Sequence, residues 1–153
     1  MGGLDPGGFA PSAARTAKAC ETFEHGADVG VRGEGADLAE AFANAALALT
    51  SVITDPEGVR ATREVALACQ APDREILLFD WLNAVIAVMS LEGLIFGRYD
   101  VRIEGDRLKA RAFGEPVDRL RHAPAVEVKG ATLTELRVAR EDGRWVAQCV
   151  LDV

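Results

Sequence analysis

The chain ends in Asp152 and Val153 at the close of an alternating apolar segment, so the Asp152 side chain and the terminal carboxylate are expected to sit close together. Two adjacent anions invite a cation. Oxygen ligands alone favour a hard ion such as calcium or magnesium. Asp28 is a third candidate ligand, expected exposed in the glycine-flanked loop Gly26-Ala27-Asp28, where a carboxylate can approach another loop unobstructed. Asp142-Gly143 is the strongest short hairpin signal in the chain. A two-residue turn there, without a bulge, sets Glu141 opposite Arg144. The same register carries Asp152 to a place opposite Leu133, on the face shared with Lys129 and within roughly 15 Å of it. His25 can assist the Asp28 loop through a hydrogen bond. Each residue has a plainer alternative: Asp28 as a turn residue capping a backbone N–H, Asp152 as a polar strand end, Lys129 as a solvated strand residue and His25 as a partly buried structural histidine.

Other chemistries find less support. Cys20, Cys69 and Cys149 are widely separated, form no Cys-x-x-Cys pair and show no zinc spacing, which reads as reduced, mostly buried thiols in a cytosolic protein. Only His25 and His122 could serve a nucleophilic hydrolase, and neither stands beside a plausible Ser or Cys nucleophile. With 17 Lys+Arg against 24 Asp+Glu the net charge is −7, which disfavours direct, stand-alone binding to a phosphate backbone. The cations Arg98, Arg102, Arg107, Lys109, Arg111, Arg119 and Arg121 are interleaved with acids and with apolar residues, as on the wet face of a strand. No apolar run is long enough to span a bilayer and no secretion signal opens the chain, so a soluble, cytoplasmic protein is expected.

The elements that must position these residues follow from periodicity. The 153 residues, 49% hydrophobic, suit a single domain. Residues 1–18, rich in Gly and Pro, read as a flexible tail before a domain over 19–153. Short strands are expected near Ala19–His25 and at Val29–Val31, with Gly33 and Gly35 breaking the second. Leu38, Ala41, Phe42, Ala45, Leu49, Val52 and Ile53 make one helical stripe from Asp37 to Thr54, which Asp55-Pro56 stops. Val65, Leu67 and Cys69 alternate as a strand. Ile76 to Met89 is the most apolar segment and reads as a core helix, capped by Asp73 and stopped by Gly93. Trp81 serves packing there, and Asn83 is suited to bonding nearby backbone. Two strands then meet at Gly105-Asp106, a long strand runs from Ala125 to Arg140, and a last one runs from Trp145 to Val153. The expected fold is α+β: a largely antiparallel sheet with two helices packed on one face.

Glu24-His25-Gly26-Ala27-Asp28-Val29-Gly30, Ser51-Val52-Ile53-Thr54-Asp55, Leu77-Leu78 with Trp81-Leu82-Asn83, Val128-Lys129-Gly130-Ala131-Thr132 and Leu151-Asp152-Val153 together resemble the archease family. The resemblance runs in order from about Phe23 to the last residue. It implies a non-catalytic partner of the GTP-dependent RNA ligase of tRNA splicing and RNA repair, one that promotes guanylylation of the ligase's histidine and its turnover. It further implies a divalent metal, calcium first with magnesium or manganese as alternatives, held by Asp28, Asp152 and the Val153 terminus, with Lys129 as a functional residue near it. RNA would be met only through the ligase, no membrane is involved, and self-association is left open. Gly26 stands where the family usually has threonine, and Leu133-Thr134 where it usually has an aromatic followed by a basic or polar residue. The competing reading is a small metal-dependent phosphoester hydrolase using the same carboxylates to activate water.

Overall fold

The computed structural model describes residues 19–153, so the expected tail over 1–18 lies outside the described residues. The elements are β1 (Cys20–His25), β2 (Asp28–Gly35), α1 (Leu38–Ile53), a 3-10 turn (Pro56–Gly58), β3 (Arg63–Gln70), α2 (Arg74–Glu92), β4 (Leu94–Glu104), β5 (Arg107–Pro116), a one-turn helix α3 (Arg119–His122), β6 (Gly130–Ala131), β7 (Arg137–Glu141) and β8 (Arg144–Asp152). Among the described residues no helix is long and apolar enough to cross a membrane.

Local chemistry sets the helix ends. Asp37 accepts from the Glu40 N–H at 2.8 Å while Glu40 reaches back to the Ala36 N–H at 2.6 Å, which fixes the start of α1. Asp73 accepts from the N–H groups of Glu75 and Ile76 at the start of α2, and Gly93, at φ 65°, ends it in the left-handed region.

The strands form two antiparallel sheets where the sequence suggested one. The larger has the order β1-β2-β8-β6, with β7 also on β8, and the smaller has the order β3-β5-β4. Helix α1 packs on β1, β2 and β8 of the large sheet and on β4 of the small one, so it bridges them, and α2 lies beside it against β3, β4, β6 and β7. Between the layers Phe42, Leu49, Leu77, Leu78, Trp81, Leu82, Phe96, Leu108 and Leu151 are fully buried, and Trp81 Nε1–H donates to the Phe42 carbonyl at 3.0 Å. The α+β antiparallel architecture is therefore as expected, and its division into two sheets is not.

Two further expectations are corrected. Gly33 and Gly35 do not break β2, which continues through both. A Cβ at residue 33 would lie 2.2 Å from the Ala45 backbone nitrogen, so glycine here admits α1 onto the strand. The long strand over Ala125–Arg140 is absent: residues 123–129 cross the end of α1, where the Ala125 N–H donates to the Ile53 carbonyl at 2.9 Å, and only β6 and β7 remain. Tertiary hydrogen bonds satisfy this backbone in place of a ladder.

Candidate functional site

His25 and Asp28 face each other across a two-residue turn whose first residue, Gly26, has φ 62°. Glycine adopts that backbone at little cost, which fits its place in the turn. Asp28 is thus the first residue of β2 and half-buried, where an exposed loop position was expected. On the other side of β2, Val29 pairs with Leu151. Continuing that antiparallel register by one residue sets Asp28 opposite Asp152, and Asp152 in turn pairs with Gly130 on β6. One row, His25, Asp28, Asp152 and Gly130, therefore crosses four strands at one end of the sheet, with neighbours about 5 Å apart on a shared face. Asp152 is exposed, and the terminal Val153 follows at the rim.

Lys129 arrives at this row differently from the expectation. The hairpin does set Glu141 opposite Arg144, and the pairing runs unbroken to Arg137 opposite Gln148. Asp152 nonetheless pairs with Gly130, not Leu133. Three extra residues are accommodated in the loop between β6 and β7, and an odd offset takes Lys129 off the side-chain row that Asp152 occupies. The Lys129 backbone is still bound directly there, its N–H donating to the Asp152 carbonyl at 2.8 Å, and its side chain is exposed.

Three residues at the site were not picked out as parts of it from the sequence. Asn83 of α2 holds β6 in place, its Oδ1 accepting from the Ala131 N–H at 2.9 Å. Thr132 clasps the Val150 carbonyl with its N–H at 3.0 Å and its hydroxyl at 2.8 Å. Glu135, at φ 53° in the β6–β7 loop, brings a carboxylate oxygen to 3.9 Å from His25 Nε2. Helical spacing marks Asn83 as part of a polar stripe on an apolar helix, whereas no local signal marks Glu135. Leu133 stands 64% exposed on this same loop.

Among the described residues no three His, Cys, Asp or Glu side chains converge in metal-ligand geometry. The Asp28 and Asp152 carboxylates at this row are oxygen donors of the kind that suit a hard cation. The row lies on the open end of a sheet, and two clefts, of about 1050 Å³ between α1 and the small sheet and about 690 Å³ beside α3, are lined by neither aspartate.

A second charged cluster lies away from the row. Glu115 accepts from the Arg60 N–H at 2.7 Å, from the Arg121 guanidinium and from His122 Nε2 at 3.0 Å. His122 Nδ1 accepts the Asp118 N–H at 2.8 Å, which leaves Nε2–H as the donor to Glu115. The Arg121 hydrogen bond, then the Arg60 N–H, hold the Glu115 carboxyl down at about 2 against an ordinary 4.5. The three cysteines are free thiols, and of the three only Cys149 is fully buried, its pKa pushed up to about 11 by burial. None is poised as a nucleophile.

The fold and the row define the class first: a small α+β protein that presents paired carboxylates on an open sheet end. The model of the Archease protein family (MTH1598/TM1083) matches residues 20–153. Protein archease of Thermococcus gammatolerans is 44% identical over 140 residues, covering 87% of this chain and 97% of that protein. Protein archease of Pyrococcus abyssi is 38% identical over 141 residues, covering 89% and 99%. The solution structure of Methanobacterium thermoautotrophicum protein 1598 superposes with a TM-score of 0.79 at 34% identity, over 89% of this chain and 99% of that one. The crystal structure of a Thermotoga maritima archease, described as a possible chaperone, shares the fold with a TM-score of 0.59 at 22% identity, over 86% and 94%. The chain belongs to the archease family.

Proposed function

We propose that this protein is a non-catalytic, cytoplasmic accessory factor of the GTP-dependent RNA ligase of tRNA splicing and RNA repair, promoting guanylylation of the ligase's histidine and its repeated turnover. RNA meets it only through the ligase. The observation that carries this reading is the facing of Asp28 and Asp152 at the sheet rim in a member of the archease family. A divalent ion, calcium before magnesium or manganese, would be held by Asp28, Asp152 and the Val153 terminus. When bound, it supplies a fixed positive charge able to hold a phosphate oxygen. The chain's own residues do the rest. The β2–β8 ladder fixes the spacing of the carboxylates, and the exposed Asp152 offers them to a partner's surface instead of a pocket of its own. Lys129 is tied to Asp152 through its backbone and is exposed at the same rim, where its cation can meet the partner rather than the carboxylates. His25 pairs with Asp28 across the turn and has the Glu135 carboxylate 3.9 Å away.

Multiple-turnover ligation by the cognate ligase with GTP and divalent metal, with and without substoichiometric amounts of this protein, tests the reading. Stimulation is expected, and Asp152→Ala should remove it while the circular dichroism stays unchanged. Full stimulation by a folded Asp152→Ala variant would sink the carboxylate site, and no stimulation by the unaltered protein would sink the accessory role.

A further inference from the structure

Free strand edges invite pairing with other chains, and most edges in this protein are blunted. Edge strand β1 carries Glu21 and Glu24, and β7 packs Arg137, Arg140 and Glu141 into five residues. The outer part of β4 alternates Arg98, Asp100, Arg102 and Glu104 behind a bulge at Phe96/Arg98. Strand β3 is different. It is eight residues long, pairs with β5 in unbroken register, and its central Val65-Ala66-Leu67-Ala68-Cys69 holds no charge, proline or glycine. Among the described residues its backbone bonds to β5 alone, so its other side is unpaired.

The two faces beside this edge have opposite chemistry. Val65, Leu67 and Cys69 are half-buried toward the core, while Ala66 and Ala68 are exposed on the outer face. Next to those alanines on β5 stand Arg111, opposite Ala66, and Lys109, opposite Ala68, with Arg102 beyond Lys109 on β4. Among the described residues Lys109 and Arg102 make no ion pair and, as like charges side by side, repel; Arg111 has Glu64 at 3.4 Å, and Asp100, opposite Arg111 on β4, is taken up by Arg98 at 3.4 Å. The small alanines leave these cations open to whatever lies beyond the edge.

We propose that the free edge of β3 receives an extended acidic segment of a partner protein as an added strand. Its acidic side chains lie on the outer face, reaching over Ala66 and Ala68 to Arg111 and Lys109, and its apolar ones continue the row of Val65, Leu67 and Cys69. The surface is separate from the carboxylate row and stands independently of that row's function. Residues 1–18 suit the edge poorly, since Asp5 is their one acid among glycines and prolines. A second copy pairing through β3 would bring the same cations. Single-stranded nucleic acid needs aromatic faces to stack on, and the outer-face Phe113 is already covered by the Arg98 guanidinium, 4.0 Å from its ring centre.

The test is fluorescence anisotropy of a labelled eight-residue peptide of alternating valine and glutamate, titrated with the full chain. The expected result is saturable binding that weakens at least about tenfold when lysine replaces glutamate, when alternate peptide nitrogens are methylated, and in Ala66→Glu or Lys109→Glu. Ala66→Glu can pair with Arg111 in its own chain and should keep its circular dichroism and Tm, so its loss of binding is read on folded protein. Absence of binding, equal binding of the methylated peptide, tighter binding of an oligouridylate of the same charge, or no effect of Ala66→Glu would each overturn the proposal. A concentration-dependent dimer that Ala66→Glu dissolves, with no peptide bound, would overturn it in favour of a second copy.

Discussion

Asp28 and Asp152 meet at the rim of the large sheet with solvent beside them, whereas Glu115 is enclosed by Arg121, His122 and the Arg60 N–H. Perturbed titration is often taken to mark function, yet here the strongly displaced carboxyl is the one held by donors on all sides. Those donors tie together the 3-10 turn, β5 and α3, and through His122 they anchor the segment that leads to Lys129. The Thr54 hydroxyl donates to the His122 carbonyl at 2.6 Å on the same anchor. The Glu115 cluster is thus a lock on the chain path, while among the described residues the Asp28 and Asp152 side chains make no ion pair or hydrogen bond. A group saturated by its own protein has nothing to offer a partner, while two facing, poorly committed anions do.

The contrast can be broken most sharply at the rim. If the proposed ion is held by both carboxylates, Asp28→Ala or Asp152→Ala should lower ligase stimulation on the order of 100-fold or more, as losing a direct ligand is no milder than losing its supporting groups, with little change in Tm. Glu115→Ala should do the reverse, giving the largest fall in Tm of any single exchange at either cluster, with stimulation per folded molecule retained. Scanning calorimetry beside the ligation assay separates the two, and a functional loss larger than the stability loss would undo the assignment of Glu115 as a lock.

Acid should distinguish the same two places. The Glu115 carboxyl has a folded-state pKa of about 2, below its unfolded value of 4.5, so its contribution is present above pH 4.5 and is lost as pH falls toward 2. Asp118, whose carboxyl is lowered by the Arg121 N–H first and then by that of Leu120 against the opposing effect of burial, adds in the same direction. Plots of Tm against pH should therefore steepen below pH 4.5, and Glu115→Gln should flatten them. An unchanged slope in that variant would assign the acid sensitivity elsewhere.

Smaller effects refine the rim. Gly26→Ala forces a side chain into a positive-φ turn and should cost roughly 1 kcal/mol, read by urea denaturation. His25→Gln should change stability by less than about 0.5 kcal/mol, because its pair with Glu135 is half-exposed and 3.9 Å apart. A larger loss would show that the Asp28 turn depends on that contact.

The strands and helices were legible where a local pattern decides them. The stripe from Leu38 to Ile53, the caps Asp37 and Asp73 and the Asp142-Gly143 hairpin all appear as their residues require. The alternation over Ala125–Arg140 is genuine, but its backbone is bound to Ile53 of α1, to Asn83 of α2 and to β8 instead of forming one long strand. Those partners are distant in sequence and leave no local periodic trace. The site was legible in part: Asp28, Asp152 and Lys129 could be named, but Asp28 as a ladder residue, Glu135 beside His25 and the three-residue offset at Gly130 could not.

What the sequence determined by itself was therefore the set of elements, the family resemblance and the identity of the acids at the rim, because periodicity, capping and turn chemistry act over a few residues. The tertiary structure alone decided that the strands divide into two sheets, that the β2–β8 register continued by one residue sets Asp28 opposite Asp152, and that Glu115 is locked while, among the described residues, Lys109 and Arg102 make no ion pair. Each of these depends on which distant strands pair and in what register, and a single odd offset in pairing is enough to move a side chain from one face to the other.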